Sequence, residues 1–175
     1  MPPGRSSRRP PVTSPPRLPS AAWLLAQVGG HAAMKFAERL QGGLGLSPAH
    51  AGILRALMSS GGLSQQALAA RLDVLPSRLV TLVDELESRG LVERRDNAED
   101  RRTYALHLTE AGRAAHESVG RVAREHQQAF CAALDPREQE QLAGMLARIA
   151  KEQGLKPGVH PGFRTLGRKR GRRRD

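Results

Sequence analysis

Between Leu63 and Leu108 the spacing of apolar residues changes from a helical period to a strand period, and this change restricts the fold more than any other feature of the chain. Upstream, Ser64 stands as an N-cap before a short helix holding Leu68 and Leu72. The chain then turns at Asp73-Val74. Pro76 takes the first-turn position of a further helix, whose buried face is Leu79, Leu82, Val83 and Leu86 and whose end is marked by Gly90. Downstream, Leu91 to Arg95 and Thr103 to Leu108 read as two short strands, the second with Tyr104, Leu106 and Leu108 on one face. The loop from Asp96 to Arg102 joins them. Two short helices about a tight turn, followed by a hairpin, make a winged helix-turn-helix.

The flanks are helical. Ala21 to Leu40 carries a stripe of Leu25, Val28, Ala32, Phe36 and Leu40, and Gly42, Gly43 and Gly45 are read as its terminator. Ser47-Pro48 opens a helix to about Ser59, stopped by Ser60-Gly61-Gly62. Thr109 caps a long helix to Leu134, with Ala115, Val119, Val122 and Ala133 on one side. Asp135 and Glu138 form a capping box that opens a last helix to Gln153, striped by Leu142, Leu146 and Ile149. The expected class is mainly α with a small β-hairpin wing. The flanking helices carry more apolar surface than a small winged helix can bury alone. Intramolecular packing and dimerisation are the two outlets.

Charge divides the chain into three parts. The net charge of +11 sits in the ends: residues 1–20 hold four arginines and no acid, and residues 154–175 hold eight basic residues and one acid. The remaining 21–153 balance 16 bases against 16 acids. The high isoelectric point therefore does not by itself assign the core to nucleic acid. Both ends have the composition of disordered tails, with the main domain expected over 21–153, its winged helix-turn-helix over about 46–108, and dimerisation helices over about 21–41 and 109–153. A contribution of 168–174 to phosphate affinity is the favoured reading of the second tail, with passive extension as the alternative.

Within the hairpin, the stretch RRDNAEDRR, Arg94 to Arg102, crowds four arginines and three acids together. Exposed ion pairs are worth roughly 0–1 kcal/mol each, so stability alone gives little reason for such a cluster. Geometry gives a better one. In a winged helix-turn-helix the second helix enters the major groove while the first crosses the backbone. The hairpin reaches sideways, where an arginine fits the narrower and more electronegative minor groove.

The segment LSQQALAARLDVLPSRLVTLVDELESRGLVERRDNAEDRRTYALHLTEAGR, Leu63 to Arg113, resembles the MarR (multiple antibiotic resistance regulator) family of winged-helix transcription factors. The motif Asp100-Arg101-Arg102, followed by a strand and Leu108-Thr109-Glu110-Ala111-Gly112, carries most of the resemblance, and the wider helix order fits from about residue 20 to 153. The resemblance implies a homodimeric, sequence-specific regulator of transcription, more often a repressor, bound to double-stranded DNA at an inverted repeat. It also implies release by a small effector, often an anionic aromatic or phenolic compound, held between the dimerisation and DNA-binding parts. A two-fold dimer would set its recognition helices about 34–36 Å apart or a multiple of that.

On the recognition helix, Pro76, Ser77, Arg78, Val80 and Thr81 match positions that face DNA in the family, with Arg78 the first choice for a guanine contact or a phosphate clamp. Many members carry an arginine where this sequence has Thr81. Arg102 matches the family's minor-groove arginine, Arg101 is its back-up, and Asp100 matches the acid that braces the wing. Arg94 and Arg95 are expected to contact phosphates. Asp84, Glu85 and Glu87 are read as a solvated face or as partners for nearby arginines. His31 and His50 fall on helices that form the ligand cleft in the family, and a satisfied core or interface histidine is an equal alternative for each.

Other chemistries find little support. A single cysteine, Cys131, rules out an intrachain disulfide and a cysteine-based zinc site, and is read as a small buried hydrophobe. No H-x-x-x-H or H-E-x-x-H pair is present, so no metal is expected. No nucleophile elbow, phosphate-binding glycine loop or paired catalytic carboxylates occur, so neither an enzyme nor a cofactor is expected. No apolar run approaches membrane-spanning length, and the cytoplasm is the expected compartment. The competing reading is a non-specific nucleic-acid-binding protein acting mainly through its basic tails.

Overall fold

The structure, a computed structural model, describes residues 19–96 and 104–156. In chain order these form α1 (Ala21–Leu44), α2 (Pro48–Ser59), β1 (Leu63–Ser64), α3 (Gln65–Leu72), α4 (Pro76–Ser88), β2 (Val92–Asp96), β3 (Tyr104–Leu108), α5 (Glu110–Phe130) and α6 (Pro136–Glu152). The class is mainly α with a small antiparallel sheet in the order β1-β3-β2.

Five helices start on a side chain that accepts a backbone N–H of the first turn: Ser20, Ser47, Ser64, Thr109 and Asp135. The capping box at Asp135 and Glu138 forms in both directions, each bond 2.9 Å. A second box, at α2, uses His50 where the usual partner is Glu or Gln.

Several boundaries differ from the sequence reading. Gly42 and Gly43 lie inside α1, and only Gly45 leaves it, at φ 63° in the left-handed region. A mid-helix glycine costs roughly 1 kcal/mol relative to alanine, which is tolerated where Leu40 is fully buried and Leu44 packs on the core. Leu63-Ser64 is both a cap and a strand: it pairs with β3 through Leu63↔Leu106 and Ser64↔Ala105. The α3–α4 turn depends on Asp73 at φ 56°. Tyr104 is exposed, and the buried residues of β3 are Ala105, Leu106 and Leu108. Cys131 is only half-buried, and the Gln127 amide donates to its sulfur at 3.5 Å.

The core lies between α2, α3, α4, the sheet and the first half of α5. Ile53, Leu54, Leu68, Leu79, Val83, Leu86, Val92 and Leu106 are essentially sealed within it. A corner joins the sheet to α5: the Thr109 hydroxyl donates to Gly90 O at 2.6 Å and accepts Gly112 N–H at 2.9 Å, while Thr109 N–H reaches Leu91 O. By contrast, α6 buries no residue. Trp23 and Val28 on α1, and Met145 and Ile149 on α6, are all about half exposed.

Candidate nucleic-acid interface

The helix expected from sequence to be the recognition element is α4. At about 100° per residue, Leu79, Leu82, Val83 and Leu86 occupy one face and point inward. Pro76, Ser77, Val80, Thr81, Asp84 and Ser88 occupy the opposite face and are exposed. Alone among the six helices of the described residues, α4 has no side-chain cap: its N-cap is Leu75, itself 68% exposed. Pro76 has no N–H to satisfy, and Arg78 N–H and Leu79 N–H both donate to Leu75 O at 3.0 Å, which leaves the Ser77 N–H as the first-turn donor open to an outside acceptor.

The two flanks of α4 are tied down by charge. On one, Arg94 of β2 donates to both Asp84 and Glu87, so the base of the wing is strutted against the recognition helix. On the other, Glu85 meets the His50 ring at Nε2, 2.8 Å away. His50 Nδ1 accepts Ser47 N–H at 3.3 Å, so Nε2 carries the proton and donates it to Glu85. Burial pushes the His50 pKa below the ordinary imidazole value, against the pull of Glu85 and with the nearby Arg89 and Arg78 adding to the lowering. At the end of α4, Arg89 donates from Nη1 to Gly45 O at 2.8 Å and from Nη2 to Leu44 O at 2.9 Å. This guanidinium satisfies the last carbonyls of α1 and locks the flanking helix to the recognition helix.

The residues singled out from sequence distribute unevenly. Pro76, Ser77, Val80 and Thr81 share the exposed face. Arg78 does not: it lies on the Glu85 flank, half-buried, and its Nε is buried without a hydrogen-bond partner among the described residues. Arg94 is engaged with two carboxylates. Arg95 is exposed and paired with Glu93 at 3.0 Å along its own strand. Asp100, Arg101 and Arg102 lie outside the described residues. His31 and His50 belong to separate clusters. His31 is exposed on α1 with its ring 6.1 Å from Phe130, in a group that includes Phe36 and His126. The His126 pKa is lowered, by burial and then by Arg39.

Sequence reasoning missed Arg89 and the His50–Glu85 pair, because both bridge helices 35 or more residues apart. One local signal was present: Ser47-Pro48-Ala49-His50 is a capping-box spacing with histidine in the acceptor position. Arg71, which closes α3 and reaches Ser60 Oγ at 2.8 Å, is an exposed base of the helix-turn-helix that was also passed over.

A sequence profile of the MarR family matches residues 44–103. The protein assigned as transcriptional regulator of the hcr operon in Thauera aromatica is 34% identical over 123 residues, covering 70% of this chain and 74% of the relative. The chain belongs to the MarR family. The HTH-type transcriptional repressor MdtR of Bacillus subtilis is 31% identical over 107 residues, 61% of this chain and 69% of the repressor. Among solved structures, the MarR family protein Rv2887 of Mycobacterium tuberculosis, crystallised in complex with DNA, superposes with a TM-score of 0.65 at 28% identity, over 75% of this chain and 98% of that one. The helix-turn-helix and sheet described above are thus those of a MarR-type winged-helix regulator. No helix among the described residues is long and apolar enough to cross a membrane.

Proposed function

We propose that this chain is a sequence-specific DNA-binding transcriptional regulator that acts as a homodimer on an inverted-repeat operator. The observation that carries the reading is α4: an uncapped helix start beside an outward face of Pro76, Ser77, Val80 and Thr81, held at a fixed angle by Arg94 and Glu85 on its flanks. The Ser77 N–H at the helix start suits a phosphate, and Ser, Thr and Val suit base edges and thymine methyl groups. In this reading α4 enters the major groove, with Arg71 and Arg95 on the phosphates. Arg102, with Arg101 as second choice, belongs in the minor groove. Repression is the favoured sense of regulation.

The half-exposed apolar residues of α1 and α6 support a second copy of the chain as the partner that covers them. His31, Phe36, His126 and Phe130 gather aromatic and imidazole groups between α1 and α5, which suits an anionic aromatic effector. The test is selection of bound duplexes from a random pool by the purified chain, followed by binding in solution. The expected result is an inverted repeat bound by two chains, with random duplex bound far more weakly. Equal affinity for selected and random duplex would refute sequence-specific recognition and favour a non-specific binder.

A further inference from the structure

Leu75 stands where the other five described helices place a polar cap. Serine, threonine or aspartate there would bond a first-turn N–H, and leucine gives that up. Nor does it return the loss by burial. Among the described residues it is the most exposed of the large apolar side chains, at 68% against 58% for Tyr104. Its position also separates it from the exposed apolar residues of α1 and α6, which a second copy of the chain is proposed to cover. Leu75 lies instead on the α3–α4 turn, beside the exposed Pro76, Ser77 and Val80.

The backbone under this side chain is fixed from both directions. Upstream, Asp73 closes α3 in the left-handed region, Val74 N–H reaches back to Ala69 O at 3.1 Å, and the Val74 side chain packs against the core. Downstream, Pro76 restricts the residue before it to extended backbone, and Leu75 sits at φ −59° and ψ 133°. The Leu75 carbonyl accepts both Arg78 N–H and Leu79 N–H. A held backbone thus presents a branched apolar side chain at the leading end of α4. In a helix-turn-helix the N-terminal residues of the second helix meet the base edges. The apolar group that those edges offer in the major groove is the 5-methyl of thymine. We infer that Leu75 is a specificity-determining residue that packs on the 5-methyl group of a thymine in each half-site. The inference rests on the DNA-binding reading above. Because the backbone is already held, little further ordering opposes the contact.

The experiment uses the full-length chain and full-length Leu75→Ser. The probe is a duplex selected from a random pool by the unmodified chain. Each thymine of the half-site is replaced in turn, symmetrically in both half-sites, by deoxyuridine, which lacks only the 5-methyl group. For the unmodified chain, one position should show a weakening of about fourfold per half-site, the ~0.8 kcal/mol of one buried carbon, and about fifteenfold for the pair. Leu75→Ser should lose that penalty at that position and keep the wild-type response at every other thymine. Serine supplies the missing cap, so the urea midpoint of the variant should be no lower than that of the unmodified chain. A lower midpoint would show Leu75 packing on its own chain and overturn the inference. So would a selected half-site without thymine, or deoxyuridine penalties that are the same in both proteins. A variant weakened equally on every duplex, with its penalties intact, overturns it as well. If the unmodified chain enriches no duplex from the pool, the sequence-specific reading itself fails, and the role of Leu75 fails with it.

Discussion

Replacing Gly112 with alanine should damage the fold, although alanine is the better helix former. A Cβ built on Gly112 lies 1.9 Å from Leu91 O, 3.0 Å from Leu91 C and 3.4 Å from Leu108 Cδ2. The obstacle is backbone, and the same carbonyl already accepts the N–H of Thr109 at 3.3 Å. Restoring a normal contact requires the first turn of α5 to back away by more than about 1 Å. That motion pulls on the Thr109 cap and unseats Val119, with Ala115 and Val122 behind it. Overpacking of this kind costs about 3 kcal/mol, at the upper end of its usual range because no side chain can rotate aside. Helix propensity returns about 1 kcal/mol. The expected net loss is about 2 kcal/mol, read as a lower midpoint in urea at fixed protein concentration, since a dimer's stability depends on concentration. Gly120→Ala in the same helix is the control. Its Cβ meets only the far end of the Arg124 side chain, at 3.4 Å, so it should be neutral or slightly stabilising. If Gly112→Ala proves as stable as Gly120→Ala, the close approach at Leu91 is not what the glycine is for.

Arg89→Ala should lower stability by about 1–2 kcal/mol by freeing the carbonyls of Leu44 and Gly45, and Arg89→Lys should recover only part, since an ammonium does not reproduce the two-pronged geometry; equal melts for all three proteins would refute the clamp. His50 is held below the unfolded imidazole pKa of about 6.5, so its neutral form is favoured by folding. Stability is then full above that value and falls as pH drops through it, because the unfolded chain takes the proton first. Melts between about pH 8 and about pH 5.5 should show this loss. His50→Gln keeps the box with Ser47 and should flatten it, leaving the share of His126, and an unchanged pH slope would sink the assignment. Arg94→Gln should weaken operator binding more than Arg95→Gln, because it strands Asp84 and Glu87 beside the DNA-facing helix; a titration giving the reverse order would show Arg94 to be an ordinary phosphate contact.

The parts of the fold that announce themselves locally were legible in the sequence. Ser47, Ser64, Thr109 and Asp135 each mark a helix start by the chemistry of capping, and the alternation after Gly90 marks the hairpin. What escaped was set by partners distant in sequence. Leu63-Ser64 becomes a strand only because β3 lies beside it. Tyr104 alternates correctly with Leu106, yet pairs with Asp96 at the outer end of the ladder, where it is exposed. The arginines show the same limit. Composition and spacing say that Arg78, Arg94 and Arg95 are long cations near a recognition helix. Only the packing shows that the first is half-buried on a flank and the second is taken by two acids.

That redistribution changes how the recognition helix is expected to work. Every acid of α4 has a partner, Glu85 in His50 and Asp84 and Glu87 in Arg94, so the helix does not present bare carboxylates to a polyanion. Its bases, Arg78 and Arg89, are turned to the flank and to α1. What remains on the outward face is short and uncharged near the helix start: Ser77, Val80 and Thr81 behind Pro76. Such a face reads bases through a hydroxyl, a methyl group and close approach rather than through a bidentate guanidinium, which favours thymine methyl contacts over guanine edges. Under the proposed function, the charge that holds the duplex is expected at the periphery, with Arg71 and Arg95 at the edges of the helix-turn-helix. A neutral reading helix within charged surroundings separates the two tasks of a DNA-binding surface: the centre discriminates between sequences and the margins supply salt-dependent affinity.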